Sequence, residues 1–284
     1  MSGQTRRGGR RTGLLFILPS LAGLGAFTVV PFFGCVWYSL TQGVAQPRFV
    51  GLRNFSELVR NPSFLLAAKN TGLFLAAGVP CLIALSLLVS LLLQGGRNSP
   101  AWWALLAPLA VPAASFALGW QTLFGEAGPL NGLLELVGFP RVDFLDARAF
   151  PVLLLVYVVK NVGYMTVVFS GAISALPSEY REVFRLDSSS GWQYAWKVVV
   201  PLISPMVFFV AVVSVMNGLK IFRESYALYA DQPPDSVYML QNFMNENFHH
   251  LNYQRLSTAS LIVVAVLAAF IWLFLKLESR VRPE

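Results

Sequence analysis

The stretch LPSEYREVFRLDSSSGWQYAWKVVVP, residues 176–201, is too polar to cross a bilayer and too apolar for an idle linker. Ser190 with Gln193 three residues on has the form of a capping box, which predicts a helix starting there and running to Pro201. A second helix is expected just before it, over 178–186, with the polar knot 187–190 separating the two. The product is a helix–break–helix knob. Phe184, Leu186, Trp192 and Trp196 are apolar side chains that water does not favour, so the knob reads as a plug for a partner's groove.

On both sides of the knob the chain turns strongly apolar. Six segments emerge, at 14–40, 70–93, 102–124, 150–173, 203–222 and 257–277, each long enough to span. Trp37, Tyr38, Trp102, Trp103 and Trp120 sit at their edges, as interfacial aromatic belts do. Pro31, Pro80, Pro108 and Pro112 lie inside them; neighbouring helices re-satisfy the freed carbonyls in a membrane, so these are read as tolerated kinks. The fold class expected is therefore all-α: a polytopic membrane protein with six transmembrane helices. A basic tail, 1–13, precedes one six-helix membrane domain, 14–284, with the knob as a cytoplasmic loop at 177–202.

Composition agrees. Of 284 residues 56% are hydrophobic and 12% charged, with a mean hydropathy of +0.60; soluble domains carry about 25% charged residues. The net charge of +7 is gathered at the termini and between apolar stretches, which fits anionic lipid headgroups rather than nucleic acid. Cys35 and Cys81 lie in apolar runs and suggest neither a disulfide nor a metal site. His249 and His250 are adjacent, so on a helix they diverge and cannot share a metal.

The apolar run 14–38 is too long for a cleavable signal, and Arg6, Arg7, Arg10 and Arg11 before it place the N-terminus in the cytoplasm. Six crossings then return the C-terminus to the same side. Loops 41–69, 125–149 and 223–256 face outward, and Pro233-Pro234 followed by 236–250 predicts a turn and a short amphipathic helix there.

The knob resembles the cytoplasmic signature of inner-membrane permease subunits of binding-protein-dependent (type I) ABC importers, in the branch that handles sugars. Glu182, Asp187, Trp192, Gln193 and Pro201 stand in its register, with Leu176-Pro177 upstream and Pro205 downstream. Val183 and Phe184 replace two alanines, Ser188 replaces a glycine, and Ala195 stands where an aromatic is usual. The segment 49–55, Asn61-Pro62, Asn70-Thr71 and 128–131 also look like the family's pattern.

The resemblance implies a permease subunit that forms half of a path for a sugar or oligosaccharide. It implies as partners an extracytoplasmic solute-binding protein, a second and related permease, and two ATP-binding subunits in a bacterial inner membrane. ATP and Mg would be bound by those subunits, since this chain has no Gly-x-x-x-x-Gly-Lys-Ser/Thr loop and shows no enzyme's cluster of catalytic groups. By the same analogy Glu182, Phe184, Asp187, Ser188, Trp192 and Pro201 belong to the ATPase-coupling surface. An ion-gradient-driven carrier of small polar solutes is the alternative; the inverted repeat such carriers show is not seen.

Polar residues inside the spans are the remaining signal. Tyr157, Lys160, Asn161 and Tyr164 follow i, i+3, i+4, i+7 spacing and share a helix face in the fourth span. Aromatic rings with hydrogen-bonding groups suit a sugar, so this face is a candidate for the path or, equally, for interhelical packing. Asn217, Lys220 and Glu224 do the same in the fifth span, where Lys220 and Glu224 are candidates to pair with each other.

Overall fold

In a computed structural model the described residues are 16–43, 46–93, 100–187 and 190–281. The basic tail and Ser188 lie outside them, as does the side chain of Asp187. In chain order the helices are α1 (Phe16–Leu40), α2 (Arg53–Val59), α3 (Pro62–Leu92), α4 (Pro100–Ala110), α5 (Ala113–Phe124), α6 (Pro129–Leu136) and α7 (Ala149–Ser174). There follow α8 (Glu179–Asp187), α9 (Gly191–Tyr194), α10 (Val200–Leu202), α11 (Ser204–Leu219), α12 (Phe222–Tyr229), α13 (Leu240–His249) and α14 (Tyr253–Val281).

Five stretches are long and apolar enough to cross a membrane: α1, α3, α7, the α11–α12 stretch Ser204–Tyr229, and Tyr253–Lys276 of α14. Lipid offers no partner to backbone N–H and C=O groups, so such sequences satisfy them internally as helices. The sixth apolar segment is a bent pair, α4 and the helical stretch Ser115–Leu136, which meet at 104°. Pro112 is thus a break and not the tolerated kink its sequence position suggested. Two prolines, Pro108 and Pro112, remove two amide donors within five residues, and Pro112 itself stands outside the helical region at φ −56° and ψ 142°. Pro80 and Pro108, by contrast, sit inside continuous helices, as expected.

The chain divides into two compact units. The first holds the described residues up to Asn61 together with Met244–Ala268. In it Thr41 and Gln42 pair antiparallel with Phe49 and Arg48, and Gly51 supplies the positive φ of 59° that turns the chain into α2. Asn54 closes the junction, its Nδ2 donating to the carbonyls of Ser39 at 2.8 Å and Thr41 at 2.9 Å.

The second unit, Pro62–Phe243 with the residues from Ala269 on, contains the core. Phe74, Leu82, Leu153, Val156, Met165, Phe169 and Val210 are buried together there. Helix α7 is its centre, with 56% of its membrane-length window buried against 33% for α3 and for the α11–α12 stretch. Glycine lets its neighbours approach: a Cβ on Gly163 would lie 1.9 Å from the Leu105 carbonyl oxygen, and one on Gly218 would lie 2.6 Å from Leu75 Cδ2. Small residues at such contacts allow helices in lipid to pack on van der Waals attraction.

Candidate functional site

Two regions gather the residues singled out from the sequence. The first is the knob. Its opening helix α8 begins where the amides of Arg181 and Glu182 reach the Ser178 carbonyl. Glu179 and Glu182 stand in its first turn and Arg185 in its last, the arrangement that complements the helix dipole. Ser190 then caps α9, its Oγ accepting from the Gln193 amide at 3.4 Å. The helix continues from Gly191 through a π turn at Ala195–Val199 into α10, where Pro201 lies. In that turn the Val200 amide reaches back five residues to Ala195 O. A wider turn accommodates the proline that follows, which lacks an amide and crowds the preceding turn. The same device, Gly25–Val29, precedes Pro31 in α1.

The knob's apolar side chains divide into two sets. Leu186 is 86% exposed, Trp192 61% and Trp196 52%, and the two indoles meet edge to face at 5.6 Å. Phe184 instead turns inward, its ring 5.5 Å from that of Tyr194. It lines a cavity of about 370 Å³ between α8, α9 and the Leu88, Leu91 and Leu92 end of α3. Glu182 is exposed, and Asp187 is the last residue of α8.

The second region is a polar cluster between α7 and the α11–α12 stretch. Lys160 and Glu224 form an ion pair; the Glu224 side chain is 4% exposed and that of Lys160 25%. The Tyr157 hydroxyl donates to Ser214 O at 2.7 Å, the Asn161 Nδ2 to Tyr157 O at 2.8 Å, and the Asn217 Nδ2 to Asn161 Oδ1 at 3.0 Å. A lone Lys or Asp at the centre of a membrane helix costs about 2.5–3.5 kcal/mol on insertion scales, which the pairing offsets.

The two faces drawn from spacing are therefore not uniform. Tyr157 is 1% exposed and packs within the core, whereas Tyr164 is 42% exposed. The second face is interrupted, because α11 stops at Leu219 and α12 restarts at Phe222, with Lys220 exposed at the break. Glu224 consequently meets Lys160 of α7 and not its own neighbour Lys220. The fifth span extends to Tyr229, beyond the 222 expected, which is what brings Glu224 inside. An unmatched Lys160 was the signal available in the sequence: a buried cation needs an acid within reach.

Other polar residues prove to be loop fasteners. Asn70 Nδ2 donates to Asp235 O at 2.6 Å and Tyr238 O at 3.0 Å, and Thr71 Oγ1 accepts from the Leu240 amide at 3.0 Å. Together they hold the turn before α13. Asn131, 1% exposed, both donates to Val142 O and accepts from its amide. Gln121 Nε2 donates to Ala227 O at 3.1 Å and Leu228 O at 2.7 Å, tying α5 to the end of α12.

Comparison with known proteins places this architecture. The sequence profile described as "Binding-protein-dependent transport system inner membrane component" matches residues 55–283. The osmoprotective compounds uptake permease protein GgtC of Synechocystis sp. is 23% identical, over 89% of this chain and 94% of its own. The trehalose/maltose transport system permease protein MalF of Thermococcus litoralis is 25% identical, over 94% and 93%. A chain of the crystal structure of a bacterial ABC transporter involved in import of the acidic polysaccharide alginate superposes with a TM-score of 0.87 at 19% identity. That superposition covers 99% of this chain and all of the other. A second alginate transporter structure, in complex with a pentasaccharide-bound periplasmic protein, gives 0.82 at 21% identity, covering 98% of each.

Proposed function

Because the chain belongs to the family of binding-protein-dependent transport system inner membrane components, and is thus a multi-pass permease subunit of an ABC importer, we propose that it carries a sugar or oligosaccharide and couples through residues 177–202. The cargo reading is supported by relatives such as the trehalose/maltose permease. In this reading an extracytoplasmic binding protein delivers the substrate, and a second, related permease completes the path. Two separate subunits bind ATP and Mg, and both termini of this chain are cytoplasmic.

The observation that carries the coupling role is the bare edge Leu186, Trp192 and Trp196 on a knob capped at Ser190. Three large apolar side chains standing free on a polar loop mark a protein contact. Exposed Glu182 is the polar partner beside them, while Phe184 braces the two helices from inside. For the path, the partly exposed Lys160, Asn161, Tyr164 and Asn217 remain candidates; Tyr157 supports them from the core.

Reconstitution with the ATP-binding subunits tests the coupling. Glu182→Lys is expected to cut ATP-dependent uptake at least about tenfold by reversing a charge at the docking surface, while membrane insertion and the chain's melting profile stay as in the wild type. Normal uptake in that variant removes Glu182 from the coupling surface. Unchanged uptake with ATPase-dead partner subunits defeats the coupling reading altogether.

A further inference from the structure

Glu224 is committed to Lys160, and the fifth span is left with cations that its own acid does not offset. Lys220 stands exposed at the break between α11 and α12, and Arg223 is exposed in the first turn of α12. Among the described residues neither forms an ion pair. Arg223 is also within electrostatic reach of the Lys160 ammonium. Lys220 and Arg223 thus lie within four residues of Glu224 in a stretch long and apolar enough to span the membrane, and Lys160 meets the same carboxylate from α7.

Cations in such a stretch face the bundle interior or a water-filled path, because lipid does not solvate them. The surface here has what a glycan path needs. Tyr164 and Tyr226 present exposed rings, and the half-buried Asn161 and Asn217 bond to each other between α7 and α11. A sugar without charge finds partners for its hydroxyls but leaves Lys220 and Arg223 without a counter-charge among the described residues. A carboxylate on the sugar supplies the missing charge, and Arg pairs with carboxylates in a two-pronged geometry that a neutral hydroxyl cannot match. One-signed charge within low-dielectric walls also concentrates the opposite ion at the mouth of the path.

We propose that this face selects an acidic saccharide, with carboxylate groups of the cargo lying against Lys220 and Arg223. The inference rests on the reading of the chain as a sugar importer's permease and narrows its cargo to anionic glycans. Lys160 is excluded from direct recognition by its bond to Glu224; it holds α12 in place so that Arg223 is presented.

The test uses the complete importer in phosphatidylcholine proteoliposomes, at saturating loaded binding protein, so that differences report the membrane step. The probes are a labelled uronic-acid trisaccharide and the same trisaccharide with its carboxyls reduced to alcohols. Uptake of the acidic probe is expected, and K220Q/R223Q should lower it about tenfold, the loss of one charge-assisted contact, without changing co-purification of the second permease. Undiminished acidic uptake in the double variant overturns the proposal. So does loss of co-purification, which assigns the two cations to a carboxylate of the partner subunit. Uptake of the neutral probe alone overturns the acidic cargo and leaves the sugar reading standing. Movement of neither probe, with ATP turnover intact, overturns both.

Discussion

The knob and the mid-span cluster both place aromatic and charged side chains where a plain apolar bundle has none, but they close their bonds differently. In the cluster, Lys160 meets Glu224, Tyr157 meets Ser214, and Asn161 meets Asn217, across chain separations of more than fifty residues. In the knob, the bonding is local: Ser190 to Gln193, Phe184 to Tyr194, Trp192 to Trp196. What remains over in the knob is an apolar edge with no cover from the described residues. What remains over in the cluster is charge. The difference separates side chains bonded across the bundle from side chains left exposed.

Breaking the cluster is expected to give the largest effect on the chain itself. Glu224→Ala strands the Lys160 ammonium, a loss of about 3–5 kcal/mol for an uncompensated buried charge. It should appear as a collapse of the folded fraction in a detergent melt. Lys160→Met with Glu224→Leu removes both charges and should recover most of that loss; a Glu224→Ala melt matching the wild type would falsify the pair's structural role. The knob should answer in the opposite way. Trp192→Ala is expected to leave the melt within about 0.5 kcal/mol and to weaken capture of the ATP-binding subunit by about 2 kcal/mol, near thirtyfold in Kd. If the melt falls while capture holds, the two regions have exchanged roles. The smallest effect sharpens the boundary between them. Ser190→Ala removes only a cap, about 1 kcal/mol, and should raise amide hydrogen exchange across 191–194 while leaving the cluster's protection unchanged.

Much of the knob was legible because its determinants are neighbours in the chain. A capping Ser with Gln three residues on, a proline stop and a run of bulky apolar residues in a polar setting all act within a few turns. The structure returns the Ser190 cap and a helix from Gly191 to Leu202. Phe184 was the exception, since its inward turn depends on Tyr194 ten residues on and on the packing of two helices. The cluster was legible only by half. Helical spacing correctly put ionisable groups inside spans, but which of them meet is decided by tertiary packing. Truncating the fifth span at 222 left Glu224 at the edge and made Lys220 its natural partner; the break at Lys220–Ile221 redirected it to Lys160. Pro112 taught a similar lesson. One proline in a membrane helix is absorbed, as at Pro80, whereas a second four residues after Pro108 accompanies a 104° bend.

The π turn at Ala195–Val199 has a consequence for the direction in which the knob's indoles point. It inserts one residue into the helical run Gly191–Leu202, and in an α-helix one residue corresponds to roughly 100° of azimuth. Trp192 and Trp196 lie at or before this turn and α10 follows it, so the residue count within the turn sets the compass bearing of the indole edge relative to α10. Deleting a single residue there would swing that edge by about a quarter of a circle while changing the length of the arm by only ~1.5 Å. Aim and reach are thus separate variables in this arm.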